Sequence, residues 1–184
     1  MKTLVTKRLI LRPLRLTDLA AFYAYAKKPN IGPMAGWAPH QSPAESLKIL
    51  KMMIAEKEVW GITIKPNDEI VGTIGLHERN LAHMIHRAKE IGYALDDLYW
   101  GQGLVPEAVN EVLKYGFESQ NLATIICGHS GENHQSRRVI DKTGFIYSHH
   151  EIRQDHENED IIVYVYKMTK EDYEKRRQDD KIID

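Results

Sequence analysis

A chain of 184 residues, 42% hydrophobic and 28% charged, has the composition of a globular protein with apolar side chains enough for a substantial core, which excludes a disordered or fibrous class and leaves little room for a second domain. A formal net charge of −1 supplies no bulk attraction to nucleic acid, although Arg8, Arg12 and Arg15 crowd the first segment and Arg137 adjoins Arg138. The single cysteine, Cys127, excludes an internal disulfide and argues against a thiolate zinc site. With no apolar leader behind Met1 and no run near the roughly 18 apolar residues of a membrane span, the expected setting is the cytoplasm, away from membranes.

Residues 8–14 predict a strand, and Thr17-Asp18 offers an N-cap for a helix to about residue 28. Pro29, Gly32, Pro33, Gly36 and Pro39 break any period, so a loop follows around Trp37, suited to face a ligand. Ser42-Pro43-Ala44-Glu45 reads as a capping box with proline at the first helical position, predicting a helix to about residue 57. Residues 59–65 and 70–78, joined by Pro66-Asn67-Asp68-Glu69, predict a hairpin, which residues 90–95 extend. Val105, Ala108, Val109, Val112, Leu113 and Phe117 then recur at helical spacing, predicting an amphipathic helix ending near residue 121. Residues 123–129 predict a short buried strand. Asn133 caps a helix to about residue 143, and Gly144 suits its left-handed C-terminal cap, with Phe145 as the apolar contact. Strands at 146–154 and 161–168 close the sheet, and Thr169 with Asp172 predict a last, solvent-exposed helix. This order describes one α+β domain over residues 1–184 with a mostly antiparallel sheet.

The segment Tyr99-Trp100-Gly101-Gln102-Gly103-Leu104-Val105 joins a strand to the amphipathic helix. Two glycines permit a tight turn and close backbone approach, and the unpaired N–H groups of a helix N-terminus, with its aligned dipoles, can hold a pyrophosphate without lysine or arginine. Pro106 and Glu107 both suit a first helical turn. A plain tight connection explains the same glycines. A Rossmann fingerprint is excluded, because Pro106 stands where a third small residue is needed, and a P-loop lacks its Gly-Lys-Ser/Thr.

Ile91-Gly92-Tyr93-Ala94-Leu95, then Tyr99 through Val105-Pro106-Glu107-Ala108, then Asn133-His134-Gln135-Ser136-Arg137-Arg138-Val139, Lys142 and Gly144-Phe145, taken in that order, resemble the GNAT superfamily of acetyl-CoA-dependent N-acetyltransferases. With the opening Thr6-Lys7-Arg8-Leu9-Ile10-Leu11-Arg12-Pro13-Leu14, the chain is most similar to the subgroup acting on ribosomal-protein N-termini, over about residues 6–170. The resemblance implies a sheet of about six to seven strands with helices on both faces. It implies acetyl-CoA as cosubstrate and a primary amine, on a small molecule or a protein N-terminus, attacking directly in a ternary complex. The implied cofactor contacts are Ile91, Tyr93 and Leu95 along the pantetheine, Trp100, Gly101, Gln102, Gly103, Leu104 and Val105 around the pyrophosphate, and Asn133 and Arg137. Trp100 and Val105 depart from the wider family's Gln/Arg and Gly/Ala, and the bulk of Val105 leaves the fine geometry of the turn open.

An α-amine with a pKa of about 8 and a lysine amine with one of about 10.4 are mostly protonated at pH 7, so a general base helps. Glu90, opening the strand that meets pantetheine, is the candidate base; a solvated strand-end carboxylate is the alternative. Ser136, three residues after Asn133, is placed by the resemblance to protonate the departing thiolate; a first-turn serine satisfying its own helix is the alternative. Tyr93 reads chiefly as packing, with a role near the sulfur second. His77 reads chiefly as a strand-edge histidine, with lining of the acceptor site second. No metal is expected: His149 and His150 face opposite ways on a strand, and His83 and His86 fall in a loop. Cys127 reads as a small buried hydrophobe. A non-catalytic acyl-CoA-binding module would keep the turn and dispense with Glu90 and Ser136. Monomer and homodimer, the latter through β-edge pairing, both stay open.

Overall fold

The computed structural model describes residues 1–78 and 87–183, with side chains through residue 179. Its strands are β1 (Leu4–Val5), β2 (Leu9–Pro13), β3 (Val59–Ile64), β4 (Ile70–Glu78), β5 (Ala88–Leu95), β6 (Thr124–Ser130), β7 (Ile146–Gln154) and β8 (Asp160–Thr169). Its α-helices are α1 (Leu19–Ala26), α2 (Pro43–Glu56), α3 (Leu104–Lys114), α4 (His134–Thr143) and α5 (Lys170–Ile183). The strands form one sheet in the order β1-β2-β3-β4-β5-β6-β8-β7. The α+β class with a mostly antiparallel sheet matches expectation. The strand count exceeds the expected six to seven by the short β1, which pairs Leu4 with Leu11 and Val5 with Ile10. Two residues are too few to show a period-2 pattern. The turn between β1 and β2 closes through Thr6, whose N–H donates to the Leu9 carbonyl at 3.1 Å and whose Oγ1 accepts the Leu9 N–H at 2.8 Å.

Strand alternation sorts the sheet into two faces. One carries Leu9, Leu11, Ile62, Ile74, Leu76 and Ile91, packed on the apolar stripe of α3 that the helical spacing predicted. The opposite face carries Val59 and Ile70 against Phe22, Tyr25 and Leu50 of α1 and α2. Burial of side chains this size is the main favourable contribution to such a core, at about 1.5–3 kcal/mol each. The stripe reaches Phe117 as expected, but α3 gives way to a π-helical turn over Tyr115–Ser119. Gly116 accounts for its closeness to the sheet: a Cβ there would stand 2.6 Å from Ile125 Cδ1.

The predicted caps at Ser42, Asn133, Gly144 and Thr169 form, whereas Asp18 makes no side-chain cap bond to α1, its carboxylate accepting instead the Arg15 N–H at 2.7 Å. Ser42 Oγ accepts the Glu45 N–H at 3.2 Å, yet the Glu45 carboxylate reaches back to the N–H of Gln41, at 2.7 Å, one residue before the expected partner. Gly144 takes φ +75° as the left-handed cap of α4, and Thr169 and Asp172 cap α5 reciprocally.

Among the described residues all strand pairs are antiparallel except β5 with β6, which run parallel for three pairs only: Ala88 with Thr124, Lys89 with Ile125 and Glu90 with Ile126. Beyond them β4 follows β5 to Leu95 and β8 follows β6 to Ser130. The sheet therefore divides into two wings that part after Glu90.

The N-terminal arginines form no free basic patch. Arg8 pairs with Glu107, and Arg15 with Asp68. Arg12, 4% exposed, lies on Asp18, 6% exposed, through two bonds of 2.7 and 2.9 Å, and its Nε donates to Asp68 at 2.7 Å. This network ties β2 to the start of α1 and to the β3–β4 turn. Removing one partner strands a buried charge, so Asp18→Ala is expected to lower stability by about 3–5 kcal/mol. Urea unfolding followed by circular dichroism measures it, and a loss below about 1 kcal/mol would show the pair to be dispensable.

Candidate active site

The link from β5 to α3 begins with a 3-10 turn at Asp97–Tyr99. Trp100 fastens that turn: its indole N–H donates to the Leu95 carbonyl at 2.8 Å, and its backbone N–H donates to Asp97 at 3.2 Å. Both of its N–H groups are thus engaged inside the turn, which leaves this expected ligand contact only the face of its ring. Gly101 and Gly103 take φ +76° and +72°, a region that an L-residue enters at a cost of about 1–2 kcal/mol. Among the described residues no carbonyl accepts the N–H of Gly101, Gln102, Gly103, Leu104 or Val105, and the first helical N–H to find one is that of Glu107, on Gly103 at 3.3 Å. Five successive backbone donors beside a helix N-terminus are the chemistry of an anion cradle. Val105 is buried with the α3 stripe, so the core takes up its bulk.

A carboxylate in the first turn of α3 would repel an anion, and Glu107 is neutralised there. It accepts from Thr6 Oγ1 at 2.6 Å and from the N–H and Nε of Arg8 at 2.8 and 2.6 Å. Burial raises its pKa, but these bonds outweigh burial and hold it below the usual carboxylate range. Arg8 Nη1 also donates to the Gln102 carbonyl at 2.9 Å. Sequence spacing carried no sign of this brace, whose partners stand 99 positions apart.

From Ile91 to Leu95 the edge of β5 turned toward β6 pairs with no strand among the described residues. Odd positions here face α3 and α4, as Ile91 and Tyr93 do, and even positions face α1 and α2, as Ala94 does. Asn133 Oδ1 caps α4 by accepting the Ser136 N–H at 2.9 Å, which fixes the first turn and leaves the Ser136 hydroxyl 2.8 Å from Tyr93 Oη. Tyr93, read mainly as packing, is therefore a polar neighbour of Ser136. Burial pushes its phenol well above the usual value. Cys127 lies against Tyr93 and is buried as expected, its thiol pushed up by burial to about 12.

Glu90 projects from the other face, opposite His77 in register. Arg153 Nη1 on β7 donates to Glu90 at 3.1 Å, so the candidate base is an ion-paired side chain rather than a simply solvated one. His77 lies 3.4 Å from Glu58. The two candidate catalytic groups, Glu90 and Ser136, thus stand on opposite sides of the sheet, with the parting of β5 and β6 between them. Arg137 is ion-paired with Asp141 at 2.8 Å and lies over the Tyr166 ring. The loop after α1 is anchored by His40, whose Nδ1 is 2.7 Å from Ser46 Oγ and whose ring meets Phe22 and Trp37. Asn133 Nδ2 donates to the Met34 carbonyl at 2.7 Å, joining that loop to α4.

His149 and His150 pair in register with Val165 and Tyr164 and so face opposite sides; His83 and His86 lie outside the described residues. Among the described residues no group of three or more His, Cys, Asp or Glu could hold a metal ion, and no helix is long and apolar enough to cross a membrane. A cavity of about 490 Å³ lined by Ile64, Asn67, Asp68, Glu69, Val71 and Tyr99 contains none of the candidate catalytic side chains.

Residues 8–146 match the family described as acetyltransferase (GNAT) domain. The uncharacterized N-acetyltransferase p20 of Bacillus licheniformis is 28% identical over 181 residues, 94% of this chain and 99% of that protein. The ribosomal-protein-serine acetyltransferase of Escherichia coli is 30% identical over 79 residues, 43% of this chain and 42% of that protein. Among solved structures, an acetyltransferase (GNAT family) from Bacillus anthracis superposes with a TM-score of 0.82 at 23% identity, covering 92% of this chain and 99% of that one.

A Cys127 thiol with a pKa of about 12 holds a thiolate fraction on the order of 10⁻⁴ at pH 8, against about a quarter for an unperturbed cysteine. Iodoacetamide at pH 8 is therefore expected to label the native protein at least about 10²-fold more slowly than the urea-unfolded chain. Equal rates would show that the thiol is neither buried nor shifted.

Proposed function

Because the chain belongs to the GNAT acetyltransferase family, we propose that it transfers the acetyl group of acetyl-CoA to a primary amine by direct attack in a ternary complex, in the cytoplasm, as a monomer or homodimer. The observation that carries this reading is the run of five unpaired amides from Gly101 to Val105 beside the parted strands. The amides receive the pyrophosphate, and the unpaired edge of β5 at Ile91, Tyr93 and Leu95 accompanies the pantetheine arm, with Asn133 and Arg137 contributing from α4. Likeness to a ribosomal-protein-serine acetyltransferase supports a protein N-terminus as acceptor.

In the proposed reaction the amine nitrogen bonds to the thioester carbonyl carbon and gives up a proton to Glu90, directly or through water. The C–S bond breaks, and the departing thiolate takes a proton from the Ser136 hydroxyl. Tyr93, 2.8 Å away and kept protonated by burial, is placed to replace it. Acceptor and thiol meet through the parting of the sheet, each with its own proton carrier on its own side. A binding module would use the same cradle without Glu90 or Ser136, and release of free thiol in the presence of amines separates the two functions.

Acetyl-CoA at 100 times its Kd is expected to stabilise the native protein by about 2.7 kcal/mol through mass action and so to raise its Tm. Gly103→Val forces a branched side chain into the left-handed region over the cradle, and the folded variant is expected to lose that rise. Normal acetyl-CoA binding by folded Gly103→Val would show that the phosphate lies elsewhere.

Glu90→Gln is expected to lose roughly 10²-fold in kcat at pH 7. The deficit should shrink toward pH 9, because solvent then supplies more neutral amine. Ser136→Ala is expected to lower kcat with the acetyl-CoA Kd unchanged, since protonation of the leaving group matters in the transition state. A pH-independent Glu90→Gln deficit would mark positioning rather than base catalysis, and full kcat in Ser136→Ala would reduce that residue to its place in the helix cap.

A further inference from the structure

Arg153 reaches from β7 across β8 to the point where the wings part. Its Nε is bonded to Glu151 and its Nη1 donates to Glu90 at 3.1 Å, so two carboxylates fix the plane of the guanidinium. Burial alone would lower its pKa, but the charge of Glu90 and the bonds to Glu151 and Glu90 outweigh burial and keep it a permanent cation. The third nitrogen, Nη2, is buried, and among the described residues it has no hydrogen-bond acceptor. A buried donor without an acceptor is unfavourable and uncommon in a folded protein. Arg153 cannot rotate to relieve it without breaking both carboxylate bonds.

The position of Nη2 gives that donor a use. It lies over Gly128, where a Cβ would come within 3.7 Å of it and within 3.0 Å of Val163 Cγ1. Gly128 is two residues beyond Ile126, the last residue of β6 paired with β5. Nη2 is therefore turned inward, beside the opening between the wings, while the side chain as a whole is 31% exposed. Since Nη1 and Nη2 share one carbon in a rigid fork, a group bonded to Glu90 and a group bonded to Nη2 can be only a few covalent bonds apart.

We infer that Arg153 selects the acceptor, Nη2 donating to a neutral carbonyl oxygen carried next to the reacting amine. This rests on the reading of the site as an amine acetyltransferase with Glu90 facing the acceptor. A carbonyl satisfies the donor without adding a third negative charge to Glu90 and Glu151, whereas the carboxylate of a free amino acid would be repelled by both. Aminoacyl amides and peptide N-termini fit this arrangement; alkylamines leave Nη2 unpaired, and a site built around a polar group discriminates strongly against analogues that lack it.

The test compares alaninamide with isopropylamine in wild type, Arg153→Lys and Arg153→Met. Part of the wild-type ratio of kcat/KM reflects the different basicities of the two amines, which no substitution alters. Both variants are expected to lower that ratio by about 10-fold or more, chiefly through the KM of alaninamide, with the KM of acetyl-CoA unchanged. Lysine keeps a cation beside Glu90 but has no second nitrogen, so a role confined to bracing Glu90 would be rescued by Arg153→Lys. Rescue, or an unchanged ratio in both variants, would overturn the assignment. Alaninamide titrated by NMR into the protein–CoA complex decides it without turnover: about 10-fold weaker binding to Arg153→Lys supports it, and equal binding refutes it. Arginine-dependent binding with no thiol release from any amine would sink the acetyl-transfer reading and leave the recognition role standing.

Discussion

The arrangement of this molecule depends on the three-residue pairing of β5 with β6. Each strand is held on its far side by an antiparallel partner, β5 by β4 from Lys89 to Leu95 and β6 by β8 throughout, so neither frays when they part. An unpaired sheet edge ordinarily invites another strand. Here the unpaired edge lies inside the fold, beside the place where the two faces of the sheet meet, and it is there that the proposed pantetheine arm would run. The face bearing Glu90 and Arg153 and the face bearing Ser136 and Tyr93 would be insulated from each other in a continuous sheet.

The glycine turn beside that parting leaves backbone groups unsatisfied, which a fold usually avoids. Its geometry is kept by side chains that brace the turn. Trp100 anchors the turn to the end of β5, and Arg8 holds the Gln102 carbonyl while neutralising Glu107. A donor drawn onto a carbonyl polarises the peptide unit, so Arg8 also strengthens the N–H of Gly103 as a donor. The cation thus favours an anion at the cradle through the backbone.

What could be read in the sequence was local. The stripe from Val105 to Phe117, the caps at Ser42, Asn133 and Thr169 and the left-handed Gly144 follow from spacing and side-chain chemistry within a few residues. The features that sequence reading missed or misjudged are pairings across the chain: Tyr93 with Ser136, Glu90 with Arg153, Arg8 with Glu107. Each joins elements brought together by the sheet order, and neither composition nor periodicity encodes which polar residues will meet there. The π-helical turn escaped for a related reason, since the contact of Gly116 with Ile125 is a packing fact and not a propensity. His83 and His86 lie outside the described residues.

Asn133 performs two tasks with one side-chain amide: its oxygen begins α4 and its nitrogen holds the Met34 carbonyl. A carboxylate could do only the first and an ammonium only the second. The loop after α1 and the helix that presents Ser136 are consequently geared to each other through a single planar group. Moving that loop away from α4 therefore means breaking the bond to Met34 or turning the amide that caps the helix.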